Sequence, residues 1–269
     1  MFVTGHGRFA MPDPRRPIAR TIDVHTYKPA NASPKTPVVV VMHGRKRNPD
    51  EYRDQWAASA ERHGFAVVAP GFSEEQYAHP QEYNYGGMVD AHGNPRPRDA
   101  WIFGAVDAVF LEACRRLDVA CDRYMLYGHS AGGQLVHRLA TFAWSPLIER
   151  AVTANAGSYT MPVRDEAFPF GLGGMSVSDD ELRAFFSRPL LVMLGDRDCD
   201  PADDQLPREP GAMRQGPHRF ARGHRYMDVA KREAARLGVA LAWRMALAPG
   251  VAHSNEMMAP HASRELFGG

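Results

Sequence analysis

Cysteine is scarce: only Cys114, Cys121 and Cys199 occur in 269 residues. An odd and sparse set cannot build a disulfide framework and reads as reduced thiols. Charge of one sign is equally lacking, with 32 Lys plus Arg against 31 Asp plus Glu. That balance excludes the basic footprint of a nucleic-acid binder. Long hydrophobic runs are missing too. The longest aliphatic stretch, Val38 to Met42, falls far short of the roughly 20 residues that a membrane span needs. Residues 1–20 carry Arg and Pro but no apolar core of a signal peptide, so the expectation is a cytoplasmic protein. A secreted protein in its mature form would give the same reading. There is no internal repeat and no low-complexity linker, so residues 1–269 are taken as one domain. A chain of this length buries roughly three quarters of its unfolded surface and needs no covalent staple. The composition leaves a homo-oligomer open.

What is present is an alternation of strand and helix signals. Pro37 to Met42 is apolar and β-branched, as a strand covered on both faces should be. Asn48-Pro49-Asp50-Glu51 offers an N-cap, a proline at the first helical position and a glutamate three residues after the cap, predicting a helix to about His63 with Gly64 as its stop. Phe65–Ala69, Tyr124–Tyr127, Ala151–Ala154, Leu190–Leu194 and Ala240–Ala246 read as further strands. Apolar residues at helical spacing between Ile102 and Leu117, Ala131 and Ala140, Met227 and Leu237, and Ala259 and Phe267 read as helices. Residues 72–98 and 156–188 interrupt the rhythm as irregular excursions, and long excursions inside a compact domain are usually functional. The fold class is α/β, a mostly parallel sheet with helices on both faces. Ligands then bind beyond the carboxyl ends of the strands.

One of those ends reads Gly128-His129-Ser130-Ala131-Gly132. A strand-to-helix turn sharp enough to present a serine hydroxyl leaves no room for side chains two residues either side, hence glycine at both positions. Ser130 is the candidate nucleophile and needs a base and a group that orients it. His253 follows the last strand in Pro249-Gly250-Val251-Ala252-His253, the topological address of the base. The acid should follow the Leu190–Leu194 strand, where Asp196, Asp198 and Asp200 compete; Asp198 is preferred and Asp196 is the main rival. Alternating aspartates also open a calcium loop, but that loop needs Gly at position six and Glu at twelve. Pro201 and Pro207 stand there, so no metal is expected. The oxyanion donors are assigned to the N–H of Ala131 and to that of Arg45 in His43-Gly44-Arg45-Lys46-Arg47, with Gly44 as the lesser candidate. For substrate contact the candidates are Tyr83 and Tyr85, as an aromatic wall, and Arg47 and Arg219, from two basic clusters that a carboxylate-bearing substrate would suit if they converge. Packing of the rings and a solvated, salt-bridged surface are the plain alternatives.

These motifs together resemble the α/β-hydrolase superfamily over nearly the whole chain. Within it, His43-Gly44, His63-Gly64-Phe65-Ala66-Val67-Val68, Tyr127 to Gly133 and Pro249 to His253 are most similar to esterases of the polyhydroxybutyrate-depolymerase and feruloyl-esterase type. Arg45 stands where members of that group commonly have Cys, and Tyr83-Asn84-Tyr85 where they have a Trp-rich segment. The resemblance implies the α/β-hydrolase fold and a serine hydrolase that cleaves carboxylic esters, of a small or oligomeric substrate, with no cofactor. An amidase or peptidase with the same three residues, acting on an acidic polyamide, is the first alternative. A non-catalytic binding protein of this fold is the second.

Overall fold

The computed structural model describes residues 3–15 and 19–268. Residues 1, 2 and 16–18, part of the stretch read above for an export signal, lie outside the described residues. The central sheet has eight strands: β1 (Gly5–Pro12), β2 (Thr21–Lys28), β3 (Val38–Met42), β4 (Ala66–Gly71), β5 (Tyr124–His129), β6 (Ile148–Ala154), β7 (Leu190–Gly195) and β8 (Arg244–Ala248). They lie in the order β1-β2-β4-β3-β5-β6-β7-β8. From β4 to β8 all pairs are parallel, while β1–β2 and β2–β4 are antiparallel.

β3 shows why the sheet is covered twice. Strand side chains alternate between faces, and all five of its residues are buried. Val38, Val40 and Met42 point into a core shared with α2 (Phe103–Leu117), α3 (Ala131–Phe142), α4 (Asp179–Phe186) and α6 (Arg219–Arg236). Val39 and Val41 point the other way, onto Tyr52 and Trp56 of α1 (Pro49–His63) and Met258 and Ala259 of α7 (Asn255–Phe267). A short helix α5 (Pro210–Gln215) lies between β7 and α6. α1 ends as expected, with Gly64 in the left-handed region at φ 70°. Its start differs in detail: Asn48 holds the cap position, but its amide donates to Glu51 Oε2 at 2.6 Å instead of capping the backbone.

Three sequence expectations are corrected. Residues 156–188 are not irregular throughout, because α4 lies within them and opens with a complete capping box of Ser178 and Glu181. The last strand is Arg244–Ala248 rather than Ala240–Ala246. α7 begins at Asn255, four residues before Ala259, because the Ser254 side chain accepts from Met257 N–H and caps it. Among the described residues no helix is long and apolar enough to cross a membrane.

Candidate active site

Four strand ends bring the predicted residues together. Ser130 sits between β5 and α3 with φ 57° and ψ −117°, a conformation that a side-chain-bearing residue holds only where its surroundings enforce it. They do so here. A Cβ on Gly132 would stand 2.2 Å from the Met42 carbonyl oxygen, and one on Gly128 2.3 Å from the Gly132 carbonyl oxygen. The turn is packed backbone to backbone against the end of β3, and Ser130 N–H donates to Ala154 O of β6 at 3.0 Å. Gly132→Ala is therefore expected to destabilise the fold, by 3 kcal/mol or roughly that amount, because no flexible side chain can give way. A thermal unfolding midpoint equal to that of the wild type would contradict this packing.

His253 Nε2 lies 3.0 Å from Ser130 Oγ, and His253 Nδ1 lies 2.7 Å from Asp198 Oδ2. Of the three aspartates after β7, Asp198 is the one facing His253. Asp196 Oδ1 instead accepts from Gly250 N–H at 2.7 Å, and Asp200 Oδ1 accepts from Ala202 N–H at 2.8 Å. Asp198 is only 3% exposed and is fixed through its backbone, with its N–H bonded to Gly195 O and its carbonyl accepting from Phe220 N–H of α6. Its second carboxylate oxygen, Oδ1, accepts from Arg219 Nη1 at 3.3 Å, and the same guanidinium holds Asp203 at 2.8 Å.

Asn155 joins the acid and base loops from the end of β6. Its Oδ1 accepts from Gly195 N–H at 2.8 Å, while its Nδ2 donates to Ala252 O at 3.2 Å. Sequence reasoning passed over Asn155 and the Arg219–Asp203 pair. A buried polar residue directly after a strand, with φ 42° in the case of Asn155, leaves only a weak mark in the sequence.

Ala131 and Arg45 both line the cleft that opens on Ser130. Neither N–H has a protein acceptor among the described residues. Ala131 is the first residue of α3, where free N–H groups and the helix dipole favour negative charge. The cleft has a volume of ≈ 540 Å³, and Tyr85, Gln134 and Arg208 also contribute to its walls. Among the described residues no group of three or more His, Cys, Asp or Glu could hold a metal ion.

The predicted substrate contacts need correction. Tyr83 is fully buried. Its hydroxyl donates to His43 O at 2.7 Å and its ring stacks on the His43 imidazole at 4.5 Å, so it packs the excursion onto the domain. Tyr85 does line the cleft, beneath the Arg138 guanidinium at 4.7 Å from its ring centroid. Arg47 reaches the cleft wall, but its guanidinium is bound to the carbonyls of Phe72 and Tyr77. Arg219, at 1% exposure, backs Asp198 and faces no substrate. The basic clusters thus converge only in part: Arg45 and Arg208 meet at the cleft, whereas Arg222 is buried and Arg214 pairs with Glu166.

Neutral histidines brace the site. His43 Nε2 accepts from Phe72 N–H at 3.1 Å, leaving Nδ1–H to donate to Gly44 O at 2.9 Å. His137 Nε2 accepts from Thr160 N–H at 2.9 Å, with Nδ1 bonded to Gly133 O at 3.0 Å. Protonation of either ring would break a bond from a backbone donor. Burial lowers the His43 pKa to about 3 and holds His137 well below its ordinary value. His129, whose ring centroid lies 4.7 Å from that of His253, is held well below the ordinary value by burial first and by the nearby charges second. In each case the folded pKa lies below the unfolded value of about 6.5. Their stability contribution is complete above that pH and is lost as the pH falls toward the folded pKa, by up to ~1.4 kcal/mol per pH unit and per histidine. Denaturant midpoints measured from pH 7.5 to 4.5 are expected to fall steeply below 6.5; a flat profile down to 5 would contradict neutral, buried rings.

The comparisons with known proteins agree with this architecture. The family model described as esterase PHB depolymerase matches residues 23–164, more than half of the chain. Poly(aspartic acid) hydrolase-1 from Sphingomonas sp. KT-1 is 36% identical, with 100% of both chains covered and a TM-score of 0.93. LpqC, the poly(3-hydroxybutyrate) depolymerase of Bordetella parapertussis, is 38% identical over 97% of this chain and 89% of its own, with a TM-score of 0.89. The siderophore hydrolase EstB of Aspergillus nidulans, 17% identical with coverage of 99% and 94% and a TM-score of 0.58, shares the fold. No curated protein matches the chain in sequence. The chain belongs to the PHB-depolymerase esterase family and is a serine hydrolase with the α/β-hydrolase fold.

Proposed function

We propose that the protein hydrolyses carboxylic ester bonds of an oligomeric substrate through an acyl-enzyme on Ser130. The observation that carries this is the continuous hydrogen-bonded line from Ser130 Oγ through His253 to Asp198, set at the edge of an open, polar cleft. His253 takes the hydroxyl proton as Ser130 attacks the carbonyl carbon. Asp198 holds the ring in the tautomer with Nδ1 protonated and stabilises the imidazolium that forms. The N–H groups of Ala131 and Arg45 bind the oxyanion, each such donor contributing roughly 3–4 kcal/mol of transition-state stabilisation. His253 then passes its proton to the leaving alcohol, and a water activated by the same ring releases the acid. A substrate of repeating units suits a cleft of ≈ 540 Å³, much larger than one acyl group needs.

A second reading, cleavage of amide bonds in an acidic polyamide, is favoured by two observations. Arg45 and Arg208 converge on the cleft, and the poly(aspartic acid) hydrolase relative aligns over the whole chain. Matched ester and amide substrates with the same acyl group separate the two. The ester reading predicts an amide kcat/KM lower by about 100-fold or more, since the amine must be protonated as it leaves. Equal or faster turnover of the amide, or release of fragments from an acidic polyamide and none from polyesters, would replace it with the second reading.

A further inference from the structure

Ser130 stands where two clefts meet. Both include Arg45, Ser130 and Gln205 in their walls. The wide one, ≈ 540 Å³, continues past Ala131 and Gln134 to Arg208. The narrow one, ≈ 160 Å³, continues past His253 and Asn255 to Lys46 and Glu51. Ala131 borders only the wide cleft and His253 only the narrow one. Acyl transfer divides its substrate at the carbonyl carbon, and the two halves have different needs. The leaving atom must lie beside the imidazole that protonates it, while the carbonyl oxygen must lie at the oxyanion donors.

We infer that the narrow cleft receives the leaving half, that the wide cleft receives the acyl half, and that Lys46 selects a leaving half bearing a carboxylate. The inference rests on the proposed roles of Ser130 and His253. In the first step the Ser130 Oγ–carbon bond forms as its proton passes to His253 Nε2. The carbon–oxygen bond to the leaving half then breaks, and that proton goes to the departing oxygen, freeing an alcohol into the narrow cleft. Water entering the vacated space gives a proton to His253 and its hydroxyl to the acyl carbon; the Ser130–acyl bond breaks and Ser130 regains the proton.

Lys46 is exposed, and its ammonium makes no ion pair or hydrogen bond among the described residues. Glu51 is the single acid in the narrow cleft, and its carboxylate is held by the Asn48 amide. The wide cleft sets Arg45, Arg47 and Arg208 against Glu74 and Glu209, and the narrow one sets Arg45 and Lys46 against Glu51. Counting Lys and Arg against Asp and Glu, each has one cation more than it has anions, but the narrow cleft concentrates that surplus in less than a third of the volume. A short chain end carrying a free carboxylate matches this space and charge.

The test uses esters sharing one neutral acyl group, with leaving alcohols of equal length that end either in a carboxylate or in its methyl ester. The ratio of their kcat/KM values is measured for the wild type, Lys46→Glu and Arg208→Glu. Lys46→Glu is expected to lower the ratio of carboxylate to methyl ester by about tenfold or more, since charge reversal replaces attraction with repulsion at close range. Arg208→Glu is expected to act on a parallel series in which the acyl half carries the carboxylate. An unchanged ratio in Lys46→Glu, or an effect of Lys46→Glu confined to the acyl series, would overturn the cleft assignment. Failure of wild type to hydrolyse any ester or to be labelled on Ser130 would instead overturn the Ser130 reading on which it rests.

Discussion

Replacing His253 by alanine is expected to lower kcat by about 10⁶-fold while leaving the fold intact, the size of loss seen when the base of such a triad is removed. Both halves of the expectation follow from position. Nε2 is 3.0 Å from Ser130 Oγ, so the ring is the proton acceptor within reach of the hydroxyl, and an unassisted serine is a weak nucleophile at neutral pH. His253 is also partly exposed in a loop, with its ring against His129 and outside the two hydrophobic cores. Truncation therefore opens no cavity in packed apolar structure. A circular dichroism spectrum and unfolding midpoint close to those of the wild type, with activity lost and partly restored by added imidazole, is the expected result. Activity within tenfold of the wild type would remove His253 from the mechanism.

Asp198→Asn is expected to cost about 10⁴-fold in kcat. The substitution keeps size and shape but replaces an acceptor facing His253 Nδ1, at 2.7 Å, with an amide that can turn its NH₂ toward the ring. The ring then holds its proton on Nε2, toward Ser130, and cannot accept another. Arg219, buried behind the carboxylate, keeps only Asp203 as an ionic partner among the described residues, and an amide NH₂ turned toward it would meet five donors and no acceptor. The matched control is Asp196→Asn. Asp196 accepts from Gly250 N–H, a bond that an asparagine carbonyl reproduces, so its effect on kcat is expected to be small beside that of Asp198→Asn. Reversed magnitudes for the two variants would move the role of the acid to Asp196.

The difference in legibility between these aspartates is instructive. The elbow is readable because its demand is steric and local: a Cβ at position 132 or 128 would stand 2.2 or 2.3 Å from a backbone oxygen, so glycine is the residue that fits. Val38 to Met42 was readable because a strand covered on both faces must be apolar throughout. The choice among Asp196, Asp198 and Asp200 depends on how a loop curls against Phe220 and Val251, which no spacing within the loop encodes. Arg219 was misassigned for a related reason. An arginine near an aspartate cluster has the same sequence signature whether it meets substrate or is buried behind the acid, and only the packing of α6 on β7 decides. A tyrosine in a polar excursion likewise reads the same whether it walls a cleft or packs inward, and the Tyr83 hydroxyl donates to the His43 carbonyl.

Other misses left signals that periodicity alone did not weigh. Ser178-Asp179-Asp180-Glu181, followed by Leu182, Phe185 and Phe186, is a capping box ahead of an apolar face. In β2, Ile22, Val24 and Thr26 alternate with less buried residues, the period of an antiparallel strand near the sheet edge, ahead of the first strand expected from the sequence, at Pro37.

The central claim is that acyl transfer proceeds through Ser130. It is tested most directly by reacting wild type and Ser130→Ala with a fluorophosphonate, measuring intact mass, and following hydrolysis of short p-nitrophenyl esters in the same samples. The account predicts a single adduct and turnover in the wild type, with both absent from a Ser130→Ala protein that unfolds at the same temperature. An adduct of equal yield on Ser130→Ala, or undiminished turnover by it, would contradict the account.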